Sequence, residues 1–237
     1  MIICGDFLQL PPVSKGEPFF AFECAAWRNM GLKMFELRQV FRQSDAGFVK
    51  ILNEMRYGTV TIESERLLKS LTVAPKDAVQ SGLEPTHLFA MRHEVEKHNH
   101  TKLNLVPGES KDFLAEDWAA NQFDLKKIDE TCRAPKLLQL KIGAQVMLIK
   151  NITPTLVNGS IGIVVSLSPI QIGVQFYSYG TTEMLPTRLM AREVFSTINA
   201  ARKETSKRTQ FPFILSYAMT IHKSQGQTLP LVKVRTF

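Results

Sequence analysis

Cysteine is scarce in this sequence and badly spaced for cross-linking. Cys4, Cys24 and Cys132 are an odd set, far apart, with no close pair to grip zinc or close a loop. A disulfide framework is excluded, and a reducing, intracellular compartment fits. No apolar run approaches the ~20 residues needed to cross a bilayer, which excludes a membrane-spanning class. The start, Met1-Ile2-Ile3-Cys4-Gly5-Asp6, lacks the basic flank, long apolar stretch and small-residue cleavage site of a secretory signal. Internal repeats and low-complexity tracts are missing too. His87, His93, His98 and His100 cluster, but no two have the i, i+4 spacing of a helical zinc site and no cysteine lies nearby. They read as a solvated helix face with one or two packed rings.

Acid is what the second half lacks. Residues 121–237 carry 15 Lys+Arg against 6 Asp+Glu, a balance of +9, whereas residues 1–120 carry 14 against 16, a balance of −2. Such asymmetry fits a polyanionic partner, because lysine and arginine near phosphates release condensed counterions. It fits equally well a charge excess that only keeps the protein soluble. The rest of the composition is ordinary: 237 residues, 44% hydrophobic and 22% charged, suit a folded protein of one large or two compact domains.

Along the chain, Met1–Cys4 is short and apolar and runs into Gly5-Asp6, as the end of a buried strand would. Cys4 there reads as a small hydrophobe rather than a nucleophile. Ser44-Asp45 predicts a helix N-cap, with Phe48, Ile51, Leu52 and Met55 at helical spacing and Gly58 as the stop. Leu67, Leu68 and Leu71 predict a second short helix, Thr86–Ala90 a buried strand, and His93–Leu105 a helix closed by Pro107-Gly108. From Leu137 the texture becomes β-rich. Gln145–Ile149, Ile161–Leu167, Ile172–Tyr177 and Thr182–Leu185 alternate with Asn158-Gly159, Ser168-Pro169 and Tyr179-Gly180, which predicts a small antiparallel barrel or curled sheet. Arg192–Pro212 is polar and basic and reads as an exposed hairpin or loop. The α/β pattern resumes at Phe213, so the β-rich part is expected to be an insertion whose flanking segments pair in one sheet.

Three segments carry groups suited to chemistry. In Gly5–Val13, Asp6 can accept hydrogen bonds or orient a metal-bound water, and Gln9 can sense a phosphate or hold a water, on a loop stiffened by Pro11-Pro12. An ordinary strand exit explains the same residues. In Leu37–Gln43, Phe41 is expected to pack inward and aim Arg42 outward, where a guanidinium can stabilise charge on a transferring phosphoryl group or simply form a surface ion pair. In Tyr217–Thr228, a helix would place Thr220, Lys223 and Ser224 on one face, a set suited to a nucleic-acid phosphate. The same segment also makes sense as a polar helix end, with His222 and Lys223 facing the helix dipole.

Taken in order, these segments resemble the helicase motifs of the petite-integration-frequency (PIF) family, relatives of the bacterial RecD helicases. GDFLQLPPV is similar to that family's third motif, LRQVFRQSD to its fourth and YAMTIHKSQGQT to its fifth. LKIGAQVMLIKN followed by LVNGSIGIVV resembles the start of the Src-homology-like barrel inserted in the second motor domain. The resemblance spans nearly the whole chain. It implies an α/β fold: a RecA-like motor of the P-loop NTPase type, interrupted by a small β-barrel insertion. The division it implies is residues 1–36 for the end of the first motor domain and 37–136 for the first part of the second. Residues 137–212 would be the barrel insertion with its basic hairpin or loop, and 213–237 the second motor domain resumed.

The activity implied is ATP-dependent 5′-to-3′ movement on single-stranded DNA by a monomer, with forked and G-quadruplex DNA as further substrates. DNA repair, recombination and telomere maintenance are the implied settings, in the nucleus or mitochondrion and away from membranes. By the same resemblance Gln9 would sense the γ-phosphate of ATP with Asp6 supporting its loop, and Arg42 would be the arginine finger. Thr220, His222, Lys223 and Ser224 would grip the DNA backbone, Gln225 and Gly226 would couple that grip to the nucleotide, and the basic Arg202–Arg208 segment would track the strand. Mg²⁺ is implied alongside ATP.

The sequence departs from the family at several points. It holds no G-x-x-x-x-G-K-S/T phosphate loop, no acidic Mg²⁺-binding motif before GDFLQLPPV and no final arginine motif, and Pro230 stands where the family commonly has an acidic residue. The expectation is a fragment that does not hydrolyse ATP alone. Two other readings are a stand-alone single-stranded nucleic-acid-binding module and a degenerate, transposon-derived copy without ATPase activity.

Overall fold

The computed structural model describes residues 2–234 except positions 13, 15, 42, 44, 72–81, 179, 180 and 200. It divides into two compact units, Met1–Ala74 and Pro75–Phe237. Among the described residues of the first unit, a 3-10 turn at Ala21–Glu23 is followed by the α-helices α1 (Ala25–Asn29), α2 (Ala46–Tyr57) and α3 (Ile62–Ser70). Asp45 caps α2, its Oδ1 accepting from the Gly47 and Phe48 amides at 2.8 and 3.1 Å, and Gly58 ends it in the left-handed region at φ 68°. Thr61 caps α3, and Glu54 on α2 accepts from both the amide and the hydroxyl of Thr61 at 3.0 Å, tying one helix to the next. This unit buries little, with Ile51 the one buried apolar residue within its described helices.

Two expectations fail here. Ile2–Cys4 is exposed coil rather than the end of a buried strand, because among the described residues nothing pairs with its backbone. Phe41, expected to pack inward, is 84% exposed, so it does not fix the backbone beside it.

The second unit holds α4 (Arg92–Leu105), α5 (Gln122–Thr131) and α6 (Ile221–Ser224). Its first strands are β1 (Thr86–Phe89), β2 (Lys111–Leu114), β3 (Glu116–Ala119) and β4 (Leu137–Leu140). They are followed by β5 (Gln145–Leu148), β6 (Ile161–Leu167), β7 (Ile172–Phe176), β8 (Arg188–Met190) and β9 (Glu193–Ile198). The last are β10 (Glu204–Gln210), β11 (Phe213–Leu215), β12 (Ala218–Thr220) and β13 (Val232–Val234).

The sheet order β12-β1-β13 is parallel, with His87 opposite both Ala218 and Lys233. The segments on either side of the β-rich part therefore do share one sheet. That β-rich part is antiparallel, ordered β11-β5-β6-β7-β8. Val146, Leu148, Val164, Val174, Phe176 and Phe213 fill its core, and Gly162 admits Val174 and the Gln175 carbonyl so closely that a Cβ would sit 2.6 and 2.8 Å from them. Among the described residues the ladder stays open: β11 and β8 are its edges, and no closed barrel forms. Thr182–Leu185 contributes a single bridge, Met184 with Tyr177, instead of a strand.

The Phe213–Tyr217 run forms β11, which pairs with β5, and leads directly into β12, which pairs with β1. Buried Gln145 locks this crossing. Its amide side chain donates to the Glu84 and Ser216 carbonyls at 3.0 and 3.3 Å and accepts from the Glu84 amide at 2.9 Å, while its backbone N–H donates to the Tyr217 hydroxyl at 2.9 Å.

Arg192–Pro212 is a hairpin of β9 and β10, extended by β3 in the order β3-β10-β9 and packed on one side against α5. It is not a uniformly exposed basic surface. Arg208 is 1% exposed, its guanidinium gripping Asp117 through two 2.7 Å bonds, bonding Asp129, and donating to the Ala134 carbonyl at 3.0 Å. Those bonds raise the Arg208 pKa and hold the Asp117 carboxyl below its ordinary value. Strand alternation is the reason: Ser206, Arg208 and Gln210 point inward, and a buried arginine needs carboxylates to receive it.

Candidate functional site

The sequence-predicted residues form two groups, one in each unit. In the first, Asp6 is the hub. Its carboxylate accepts from the Leu8 amide at 3.1 Å and the Gln9 side chain at 3.0 Å, and takes Arg56 bidentately at 2.5 and 2.8 Å. Partial burial pushes the Asp6 carboxyl up, but hydrogen bonds from Gln9, Arg56 and Leu8, together with the Arg56 charge, outweigh it and hold the pKa below its ordinary value. Phe7 packs edge-on against Phe22 and Trp27, with centroids 4.8 and 5.7 Å away, which anchors the loop from the other side. Gln9 is thus presented on an exposed loop whose shape depends on Arg56, a residue sequence reasoning passed over because it lies 50 positions away at the end of α2. Arg42 lies outside the described residues.

The second group sits at the carboxyl ends of parallel strands, where open α/β sheets bind ligands. Thr220 ends β12 beside Phe89 at the end of β1, and Arg92 opens α4 after only Ala90 and Met91 have followed that strand. Asn99 on α4 fixes β12 in place, donating to the Ala218 carbonyl at 3.1 Å and accepting from the Ala218 amide at 2.9 Å. Between these elements lies an open cavity of about 470 Å³, lined by the cations Arg92, Arg133 and Lys223, the carboxylates Glu96, Asp129 and Glu130, and the polar Asn99 and Thr220 among others.

Thr220 is buried and is the N-cap of α6, not part of a helical face, and its Oγ1 accepts from the Lys223 amide at 3.3 Å. The hydroxyl proton is left to donate into the cavity. The Lys223 amine is held below its ordinary pKa, first by desolvation and then by the positive charges of Arg92 and Arg133, with Glu96 opposing. Its residue surface is still exposed, so the crowding acts on a group at the cavity mouth. Arg92 and Arg133 raise the cost of charging Lys223, and an anion bound among these cations relieves it, while Glu96, Asp129 and Glu130 in the same lining offset part of that field.

Not every predicted residue joins this group. Neither His222 nor Ser224 lines the cavity; His222 is exposed, and the Ser224 hydroxyl donates to the Ile221 carbonyl at 2.8 Å within its own helix. Gln225 and Gly226 form the exit turn, with Gly226 at φ 79° where a side chain would be strained. Sequence reasoning missed Arg92, Asn99 and Arg133. Arg92, placed between a predicted strand and helix, carried a positional signal; Arg133 lies in an irregular connection and carried none. Among the described residues no group of three or more His, Cys, Asp or Glu side chains is placed to hold a metal ion.

Residues 125–167 match a family model described as the 2B domain of the DNA helicase Pif1. The chain is 36% identical over 240 residues to the ATP-dependent DNA helicase PIF1 of Homo sapiens, an alignment covering 99% of this chain and 36% of that protein. It is 45% identical over 172 residues to the PIF1 helicase of Saccharomyces cerevisiae strain YJM789, covering 70% of this chain and 20% of the relative. The chain therefore spans little more than a third of the human relative's length. Among solved structures, the Pif1 helicase from Candida albicans superimposes with a TM-score of 0.72 at 33% identity, over 98% of this chain and 57% of that one. Bacteroides Pif1 in complex with ADP-AlF3 and ssDNA gives 0.60 at 27%, over 98% and 55%. A structure describing DNA unwinding at forked dsDNA by two coordinating Pif1 helicases gives 0.57 at 29%, over 98% and 54%.

Proposed function

The chain belongs to the Pif1 helicase family, and from that premise we propose that it supplies motor elements of an ATP-dependent DNA helicase, gripping single-stranded DNA at the cavity between Thr220, Lys223, Arg92 and Arg133. The cavity at the carboxyl ends of the parallel strands is the observation that carries this reading. Thr220 donates its hydroxyl to a backbone phosphate, while Lys223 and the two arginines neutralise it and its neighbour. None of these contacts reads a base, which suits a motor that must pass over every sequence. His222 and Ser224 frame the turn, and Gln225 with Gly226 links the grip to the nucleotide side.

On the nucleotide side, Gln9 contacts the terminal phosphate, Asp6 and Arg56 hold its loop, and Arg42 supplies the finger. These residues touch a triphosphate without cradling one, and Asp6, engaged by Arg56, Gln9 and the Leu8 amide, is no Mg²⁺ ligand. Hydrolysis needs groups beyond those in this sequence, and the chemistry belongs to the helicase as a whole. The likeness to helicases solved with ADP-AlF3, ssDNA and forked dsDNA supports ATP use and action on single strands and forks. The domain division at 36, 136 and 212, 5′-to-3′ polarity, monomeric action, G-quadruplex unwinding, and roles in repair, recombination and telomere maintenance in the nucleus or mitochondrion complete the proposal. The missing phosphate loop favours a second reading, a module that binds single strands without hydrolysis.

Fluorescence-anisotropy titration of labelled single-stranded DNA at several salt concentrations tests the grip. Affinity should fall with salt by a log–log slope of about 0.7 per phosphate contact, and Lys223→Ala should reduce that slope by about one contact's worth. An unchanged slope removes Lys223 from the interface.

A further inference from the structure

The sheet β3-β10-β9 has α5 on one face and, among the described residues, no element covering the other. That open face carries Trp118 at 48% exposure, with Lys207 directly opposite on β10 and Ser196 opposite Lys207 on β9. The Lys207 ammonium lies 5.6 Å from the indole centroid, and among the described residues no carboxylate pairs with it. Its neighbour Arg208, aimed at the opposite face, is bound to two aspartates. The β9–β10 turn adds Arg202 and Lys203 at the end of the same strands. Exposed Val194 and Ile198 continue the open face, Glu116 is its exposed acid, and Glu204 is hydrogen-bonded to Ser196.

We propose that this open face is a second contact for single-stranded nucleic acid, separate from the Thr220–Lys223 cavity, in which a base stacks on Trp118 and a flanking phosphate takes Lys207. The proposal rests on the helicase reading for the identity of the ligand. The physical case is the combination itself. An aromatic ring on an open β-face offers a π-surface that accepts any base, and a cation in register beside it neutralises the backbone. Among the described residues Lys207 is held by the ring and by no carboxylate, so it exchanges a weak cation–π contact for a phosphate at little cost, which a paired lysine cannot do. Exposed hydroxyl and basic groups around the ring fit a strand of phosphates better than the apolar surface of a protein partner.

The chain has two tryptophans, Trp27 and Trp118, so Trp27→Phe leaves Trp118 as the sole reporter. Titrating that variant with oligothymidylate should quench Trp118 emission at the concentrations at which anisotropy reports binding. Trp118→Ala should weaken binding by about 5- to 100-fold, the range for losing one base stack, while Trp118→Phe recovers part of it. Lys207→Gln should lower the salt slope by about one contact's worth. Binding that depends on Lys223 but leaves Trp118 emission unchanged overturns this proposal and spares the helicase reading; no binding by any form overturns both. A protein-concentration-dependent change in Trp118 emission without DNA would assign the face to a second copy of the chain and overturn it as well.

Discussion

The two units hold their candidate residues by opposite means. In Pro75–Phe237, Thr220 and Lys223 follow from a parallel sheet whose strands are joined to a buried core by Gln145, Tyr217 and Asn99. In Met1–Ala74, Gln9 sits on an exposed loop whose geometry comes from one carboxylate, one guanidinium and an aromatic edge contact. The first arrangement is fixed by burial and the second by charge. The lesson is about what each can tolerate: loss of a buried polar partner threatens the fold, whereas loss of the Asp6–Arg56 tie threatens only a loop.

The largest effect should come from breaking the buried network. Arg208→Ala leaves Asp117 facing a low-dielectric interior unpaired, and removing one partner of such a pair costs about 3–5 kcal/mol. Thermal unfolding should report a large drop in midpoint for the second unit and loss of DNA binding with it. A variant with an unchanged midpoint would mean that solvent reaches Asp117, and the contrast between the units would weaken. Arg208→Met combined with Asp117→Leu should recover much of the loss, since replacing both partners removes the orphaned charge.

A smaller effect is expected at the crossing between the sheets. Tyr217→Phe keeps the buried ring and removes the acceptor for the Gln145 backbone N–H, and an orphaned buried donor costs about 1–3 kcal/mol. Hydrogen exchange should accelerate at Gln145 more than at Val174, in the middle of the same sheet. Equal acceleration at both would make the crossing an ordinary part of the core rather than its lock.

How much of this was legible in the sequence follows the same division. Helix ends were readable where a local rule writes them, as at Asp45, Gly58 and the Pro107-Gly108 stop. The strand at Thr86 and the short antiparallel runs were readable from apolar runs and turn residues. Partnership across distance was not. Lys207 and Arg208 are adjacent letters of one type, yet one lies over an exposed indole and the other is sealed against two aspartates, because alternation along β10 sends them to opposite faces. A charge count credits both to a nucleic-acid track; the fold leaves only Lys207 for it. Ile2–Cys4 and Phe41 failed for a related reason, since apolar character predicts burial only if something stands opposite to bury it. Arg92 and Arg133 reach one cavity from segments 41 positions apart, and nothing in local pattern joins them.

The smallest effect should appear in the first unit and depend on pH. Asp6 has its pKa held below the ordinary value, so its tie to Arg56 contributes at and above the ordinary carboxylate pKa of about 4 and is lost as pH falls through the lowered value. Trp27, packed on Phe7 beside Asp6, reports that loop, and Trp118→Phe makes it the sole tryptophan. Acid titration of Trp27 emission should show a transition below the ordinary carboxylate range in that background. Adding Arg56→Ala should move the transition up toward the ordinary value, while the thermal midpoint of the second unit stays where it was. An unmoved transition would mean that the amide of Leu8 and the side chain of Gln9 hold Asp6 without the guanidinium, and the loop's shape would then be set by its own backbone rather than by α2.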